Sequence, residues 1–263
     1  MSPKSHKTYR DMPLKNSKHL LILAFALMLT GCMSSKKIVY FQESDEIKLQ
    51  ETLVKFQPQI QLGDLITIYI SASDPLSAET FNLYEAPSVV GNPVLLPYLV
   101  DGDGNINFPV LGKLKVAGFT TQQIGDQITQ ALTTYLLAPI VNVRLSNFKI
   151  TVMGEVKTPG TYTVPNERIT IVEALGLAGD LTIQAKRNTV MLIREKNGKR
   201  DFVTVDLTNK ALFNSPYYYL VQNDVLYVEP NKTKVNSAAV GSGTSVLLSS
   251  IGILISLITL FSL

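Results

Sequence analysis

The 263-residue sequence contains no tryptophan, one cysteine and two histidines, and both histidines, His6 and His19, fall in its first nineteen positions. Beyond Cys32 there is neither a thiol nor an imidazole. Ser-His-Asp and Cys-His catalysis and His-ligated zinc are therefore excluded from the body of the chain. A disulfide framework is excluded as well, since one cysteine has no partner. Paired carboxylates and a Ser-Lys dyad stay open by residue type, but no spacing singles out either. Basic surplus is also missing. Five of the 24 basic side chains and one of the 21 acidic ones lie in residues 1–31, so the remainder carries 19 and 20. The formal net charge of +3 belongs to the leader, and nothing in the body favours nucleic acid as a partner.

What is present begins with that leader. Lys4, Lys7, Arg10, Lys15 and Lys18 precede the apolar run "LLILAFALML", Leu20 to Leu29. Ten residues are too few to span a bilayer as a helix and match the apolar region of a secretory signal. "LTGC", Leu29 to Cys32, resembles the bacterial lipobox. The resemblance implies cleavage before Cys32 and acylation of its thiol and of the new amine, so the expected lipid is covalent and no other cofactor is implied. Mature protein should then lack residues 1–31. Residues 32–58 are polar and irregular and read as a tether.

The folded part runs from Gln59 to about Pro230, enough for one or two small cores. "GDLITIYIS" places a turn at Gly63-Asp64 before a period-two strand with Ile66, Ile68 and Ile70 on one face. Residues 75–97, with Pro75, Pro87, Gly91 and Pro93, read as a long loop. "YLVDGDGNINF" reads as a hairpin about Asp101–Gly104. The Asp101, Asp103, Asn105 spacing is that of a calcium loop, but Ile106 stands where the loop needs glycine and Gly112 where it needs glutamate, so the aspartates are assigned to the turn. "TTQQIGDQITQALTTYL" predicts a helix with a Thr120/Gln123 capping box and a face of Ile124, Ile128, Ala131, Leu132 and Tyr135. Val141, Val143 and Leu145 mark the next strand.

A second unit begins near Phe148. Thr158-Pro159-Gly160 predicts a type II turn with Gly160 at positive φ. Thr170 and Glu173 form a second capping box, and Gly179 ends that helix. Asn197-Gly198 predicts a hairpin. "VQNDVLYVEP" closes the unit and echoes "LGDLITIYI": each has a turn, an aspartate (Asp64, Asp224) and an apolar strand. Duplication and the common grammar of strands both account for the echo. No aromatic cluster marks a glycan site.

In this order the segments resemble the bacterial outer-membrane polysaccharide export lipoproteins of the Wza type, most specifically in "YLVDGDGNINFPVLGKLKVAGFT", "VMGEVKTPGTY" and "ITIVEALGLAGDLT". Two positions depart from the family pattern, with Leu62-Gly63-Asp64 where Pro-Gly-Asp is usual and Asn223-Asp224 where Gly-Asp is usual. The resemblance implies an α+β protein of small mixed α/β periplasmic domains with a C-terminal transmembrane helix. Its expected divisions are a signal peptide at 1–31, a tether at 32–58, a polysaccharide export domain at 59–147, a β-grasp-like soluble-ligand-binding (SLBB) domain at 148–231, a linker at 232–243 and a membrane helix at 244–263. It implies no catalytic residues. It implies a homo-oligomeric ring beneath the outer membrane that conducts capsular polysaccharide or exopolysaccharide cargo, working with an inner-membrane copolymerase. With one β-grasp-like unit, the ring stack is expected to be short.

The last twenty residues, "TSVLLSSIGILISLITLFSL", carry no charge and no proline. As a helix they reach about 30 Å, the apolar thickness of a bilayer. Ser245, Ser249, Gly252, Ser256 and Thr259 recur at steps of four, three, four and three, a seam of small and hydroxyl residues. Such residues let membrane helices approach closely and bond across the contact. The seam packs helices, or part of it faces a water-filled lumen. Two rivals remain: a periplasmic glycan-binding or structural lipoprotein whose tail is only a second anchor, and a glycan hydrolase, whose nearest carboxylates are Asp101 and Asp103.

Overall fold

A computed structural model of the chain describes residues 38–42, 56–85, 93–196, 198–239 and 242–261. The signal segment and Cys32 lie outside these residues. Two hydrophobic cores organise residues 37–263.

The first core is built on β1 (Leu65–Ser71), where Ile66, Ile68 and Ile70 are buried and the residues between them are more exposed. β1 is the central strand of an antiparallel three-stranded sheet, with β2 (Tyr98–Leu99) on one side and β5 (Ile140–Leu145) on the other. Ile66, Ile68 and Ile70 face Leu145, Val143 and Val141 in register. Helix α2 (Thr121–Leu132) lies on that sheet through Ile124, Ile128 and Leu132, all fully buried. Burying one such side chain is worth about 2 kcal/mol. Gly125 is buried facing β5, where a Cβ would make only an ordinary contact, 3.5 Å from the Val141 carbonyl oxygen. Both arms of the capping box form: Gln123 N donates to Thr120 Oγ1 at 3.2 Å and Thr120 N donates to Gln123 Oε1 at 2.9 Å.

Several local expectations change in this unit. Tyr135 is 54 % exposed, because the helix ends at Leu132 and the next turn delivers Leu136 to the core instead. Residues 75–97 contain a short helix, α1 (Pro75–Glu79), with Asp74 as its cap. The Asp101–Gly104 turn is present, but its flanks do not form a paired hairpin. β2 pairs with β1, and β3 (Asn105–Phe108) pairs with β4 (Gly112–Lys115). The Asp101 side chain takes the amides of Asp103 and Asn105 at 3.0 and 2.8 Å, which closes the turn so tightly that the strands diverge to other partners.

The second core sits against a five-stranded sheet of order β10-β9-β12-β6-β7. Its strands are β6 (Lys149–Gly154), β7 (Gly160–Thr163), β9 (Ala185–Lys196), β10 (Lys199–Val205) and β12 (Val225–Pro230). β12 is central, parallel to β6 and antiparallel to β9. Two short strands, β8 (Ile169–Thr170) and β11 (Tyr219–Leu220), pair separately, and α3 (Ile171–Leu177) starts from the Thr170/Glu173 capping box. The hairpin about Gly198 forms with Lys196 opposite Lys199. The type II turn at Gly160 does not: Gly160 has ordinary φ and starts β7, opposite Val152. The left-handed residue is Gly154, at φ +92°, where a Cβ would lie 2.1 Å from the Val228 carbonyl oxygen. A chain reversal that uses Gly154 and the Val156–Leu181 bridge leaves Gly160 free to start β7, with Pro159 just before it.

The ends also differ from expectation. Tyr40, Phe41 and Gln42, assigned above to a tether, pack on the second core. The linker contains helix α4 (Lys232–Ala239), followed by α5 (Ser242–Phe261).

Gly154→Ala should destabilise the body by about 3 kcal/mol, since it adds left-handed strain to a clash with a fixed backbone carbonyl. Thermal unfolding reads this, and a melting temperature equal to the parent's contradicts the close approach.

Candidate functional site

The residues singled out at the C-terminus all fall in α5. Its described side chains are Val246 and residues 249–257, and every one of them is exposed, the large apolar ones from Leu257 at 46 % to Val246 at 65 %. No face of this stretch is buried on the body. Ser249, Gly252 and Ser256 lie among these residues, at steps that keep them on one side of the helix. Ser245 and Thr259 belong to the same helix, but their side chains are outside the described set. Ser256 Oγ donates to the Gly252 carbonyl at 3.0 Å and Ser250 Oγ to that of Val246 at 2.6 Å, so these hydroxyls are satisfied within the helix. Among the described residues no helix is long and apolar enough to cross a membrane. A helix apolar all round is normally covered by protein or by lipid, and here the chain's own body covers none of the described stretch.

Two buried carboxylates lie at the starts of the two central strands, and a buried guanidinium, Arg187, lies in β9. Asp64 and Asp224 are each 1 % exposed. Gln61 N donates to Asp64 Oδ2 at 2.8 Å, and Val221 N donates to Asp224 Oδ2 at 2.8 Å. A left-handed residue precedes each, Gly63 at φ +80° and Asn223 at φ +65°. The sequence echo is thus one turn built twice. The two differ in their partners. Arg194 donates to both oxygens of Asp224, with the closest contact 2.6 Å. Asp64 has no ion pair among the described residues. Burial pushes its carboxyl up to about 6, against the pull of the Gln61 amide. Burial also raises Asp224, opposed by Arg194.

Sequence reasoning missed an aromatic row. Phe56, Tyr219, Tyr218, Phe213, Phe41 and Tyr40 follow one another with ring centroids 4.8, 5.2, 5.4, 5.0 and 5.6 Å apart. The Arg187 guanidinium caps the Tyr40 end, 5.2 Å from the ring centre. The run Tyr217-Tyr218-Tyr219 was its one visible signal, and the other rings arrive from distant stretches. The rings are each other's neighbours, so the row is a packing seam.

Asp101 and Asp103 are turn residues, as the two amides on Asp101 require. Among the described residues no cluster of His, Cys, Asp or Glu is arranged to hold a metal. A cleft of about 190 Å³ between Phe56–Pro58, the start of α2 and Glu167–Arg168 is bridged by a hydrogen bond from Thr121 Oγ1 to Glu167 Oε2 at 3.0 Å. No histidine, cysteine or lysine lines it.

Fold and geometry together define a mixed α/β protein with two cores and an uncovered apolar helix. Comparison with known proteins carries this further. The sequence profile described as "Polysaccharide biosynthesis/export protein" matches residues 55–146, and the profile described as "SLBB domain" matches residues 149–201. The EPS I polysaccharide export outer membrane protein EpsA of Ralstonia solanacearum is 31% identical over 201 residues, which cover 72% of this chain and 52% of that protein. EpsA of Ralstonia nicotianae is 32% identical over 146 residues, 52% of this chain and 38% of that protein. The exopolysaccharide production protein ExoF of Rhizobium meliloti is 32% identical over 89 residues, 32% of this chain and 21% of that protein. The two profiles together take in most of residues 55–201, and the chain belongs to the polysaccharide export family. It spans about half the length, or less, of these curated relatives.

The twin turns should respond oppositely to one substitution. The folded state holds the Asp64 proton more tightly than the unfolded chain, whose aspartate titrates near 3.8. Stability therefore rises as pH falls from about 6 towards 4 and is lost again as pH rises through 6. Asp64→Asn should match or exceed the parent at pH 7. Asp224→Asn should lose about 3 kcal/mol, because Arg194 is left buried without its carboxylate. Melting temperatures between pH 4 and 8 test both. Burial also raises Asp224, which adds a dependence of the same sign, so Asp64→Asn should reduce the parent's pH dependence, and a dependence of undiminished size contradicts the assignment.

Proposed function

We propose that the chain is an outer-membrane lipoprotein that exports exopolysaccharide, acylated at Cys32, whose copies form a ring-shaped conduit closed at the membrane by their C-terminal helices. The observation that carries the reading is α5. Its described stretch is free of charge and exposes Ile251, Ile253, Leu254, Ile255 and Leu257 beside its serines, so it calls for a cover that the described body does not supply. Lipid and the same helix of neighbouring copies together are such a cover. The charge-free sequence from Thr244 to Leu263 has the length of a bilayer crossing, about 30 Å. The seam of Ser245, Ser249, Gly252, Ser256 and Thr259 suits helix-to-helix approach within it. The names of the Ralstonia relatives support the cargo class and the outer membrane as location.

On this reading residues 59–147 and 148–231 are the polysaccharide export and SLBB domains that form the periplasmic vestibule. An inner-membrane copolymerase hands on the polysaccharide cargo. The protein binds that cargo loosely, since a conduit that held its chain tightly would stall.

Ending the chain after Asn236 should leave an acylated, membrane-bound protein that no longer exports polysaccharide; normal export by that variant overturns the pore reading. Ser249→Leu together with Ser256→Leu should weaken the ring or narrow the pore, read as mass in mild detergent and as conductance in planar bilayers. A monomer from the parent protein in that detergent favours instead a glycan-binding or structural lipoprotein with two anchors.

A further inference from the structure

The two ends of the body meet on one short stretch. From the N-terminal side, Phe41 N donates to the Leu207 carbonyl at 3.1 Å and Gln42 N to that of Thr208 at 2.7 Å. Tyr40 OH donates to Asp180 Oδ1 at 2.6 Å, with Arg187 over its ring. Phe41 lies against Phe213 and holds φ at +54°, a left-handed value that a bulky residue keeps only where its surroundings impose it. Arg187 is itself fixed by the carbonyls of Ala185 and Thr182, at 3.3 Å each.

From the C-terminal side, Asn231 N donates to the Gln184 carbonyl at 2.7 Å, and Pro230 pairs with Ala185. Asn231 Oδ1 accepts from Lys234 N at 3.0 Å, which roots α4 on this residue. Lys234 Nζ is 3.7 Å from Glu155 Oε1, and the Glu155 carbonyl accepts from Thr182 N at 3.1 Å. Asp180, Thr182, Gln184, Ala185 and Arg187 thus serve both ends.

We infer that residues 180–187 are a junction that clips the N-terminal strap beside the root of the C-terminal helices, and that the clip sets how far the two membrane attachments can separate. The inference rests on the acylation of Cys32 proposed above. Eight residues lead from Cys32 to Tyr40, a reach of about 28 Å when extended. Without the clip the next described residue in contact with the body is Phe56, stacked on Tyr219, twenty-four residues from Cys32 and about 80 Å away when extended. A threefold longer tether lowers the effective concentration of one attachment near the other by roughly fivefold. The clip keeps the lipid beside the helix that inserts with it.

Cysteine pairing in the full-length protein tests this. The backbone bond between Gln42 and Thr208 brings their Cα atoms into the range of a disulfide. Gln42→Cys with Thr208→Cys should cross-link in the oxidising periplasm and export normally. Tyr40→Ala with Phe41→Ala should leave the protein acylated and membrane-bound, with export lowered roughly fivefold. Adding the cysteine pair to that variant should restore export, and reductant should remove the rescue; a melting temperature of the Tyr40→Ala/Phe41→Ala protein close to the parent's separates loss of the clip from a folding defect, which a disulfide would also rescue. No cross-link in the parent background, undiminished export after Tyr40→Ala/Phe41→Ala, or a loss the cross-link does not restore each overturns the clip. Intact mass reads acylation separately: an unprocessed Met1 defeats the lipoprotein reading whatever the cross-link shows.

Discussion

Each sheet is set by a buried carboxylate that closes the turn before its central strand. Asp64 and Asp224 accept the amide three residues back, behind a left-handed residue, and the chain leaves each turn as β1 or β12. The backbone around each aspartate is tied to a neighbouring strand: Asp64 O accepts from Val100 N at 2.9 Å, and Asp224 O accepts from Thr151 N at 2.9 Å. Since β1 and β12 lie between partners on both sides, the register of each sheet follows from these turns. A carboxylate held by amides in a dry site is specific, because no apolar residue replaces its acceptors.

The two turns also divide the chain's electrostatic character. Asp224 is paired with Arg194, which opposes the rise that burial imposes on its carboxyl. Asp64 has no ion pair among the described residues, and burial pushes its carboxyl up to about 6. Above the second core the aromatic row and residues 180–187 gather Tyr40, Phe41 and the α4 root. What looks in sequence like two loose ends is held by one stretch of about eight residues, while the described part of α5 makes no use of the body for burial.

Much of this was legible. Ile66, Ile68 and Ile70, both capping boxes and the hairpin at Gly198 are local patterns whose cause lies within a few residues, and they appear as read. The errors share a cause. Gly160 and Asp101–Gly104 have turn chemistry, but strand pairing is decided by which edges are free, and that depends on residues far away. Tyr135 continued a helical period beyond the point where the helix stops. The aromatic row joins residues 40, 56 and 219, a relation that no periodicity encodes.

By itself the sequence determined the exclusion of thiol and imidazole chemistry from the body, the alternation that makes β1, the caps that start α2 and α3, and the charge-free tail, because each depends on composition or on neighbours within one turn. Only the tertiary structure decided that Gly154 rather than Gly160 carries the left-handed bend, that Arg194 reaches Asp224 while no charged partner among the described residues reaches Asp64, and that Tyr40 and Asn231 meet on residues 180–187. Those are long-range pairings, from 30 residues apart for Arg194 and Asp224 to 140 for Tyr40 and Asp180, fixed when two cores close.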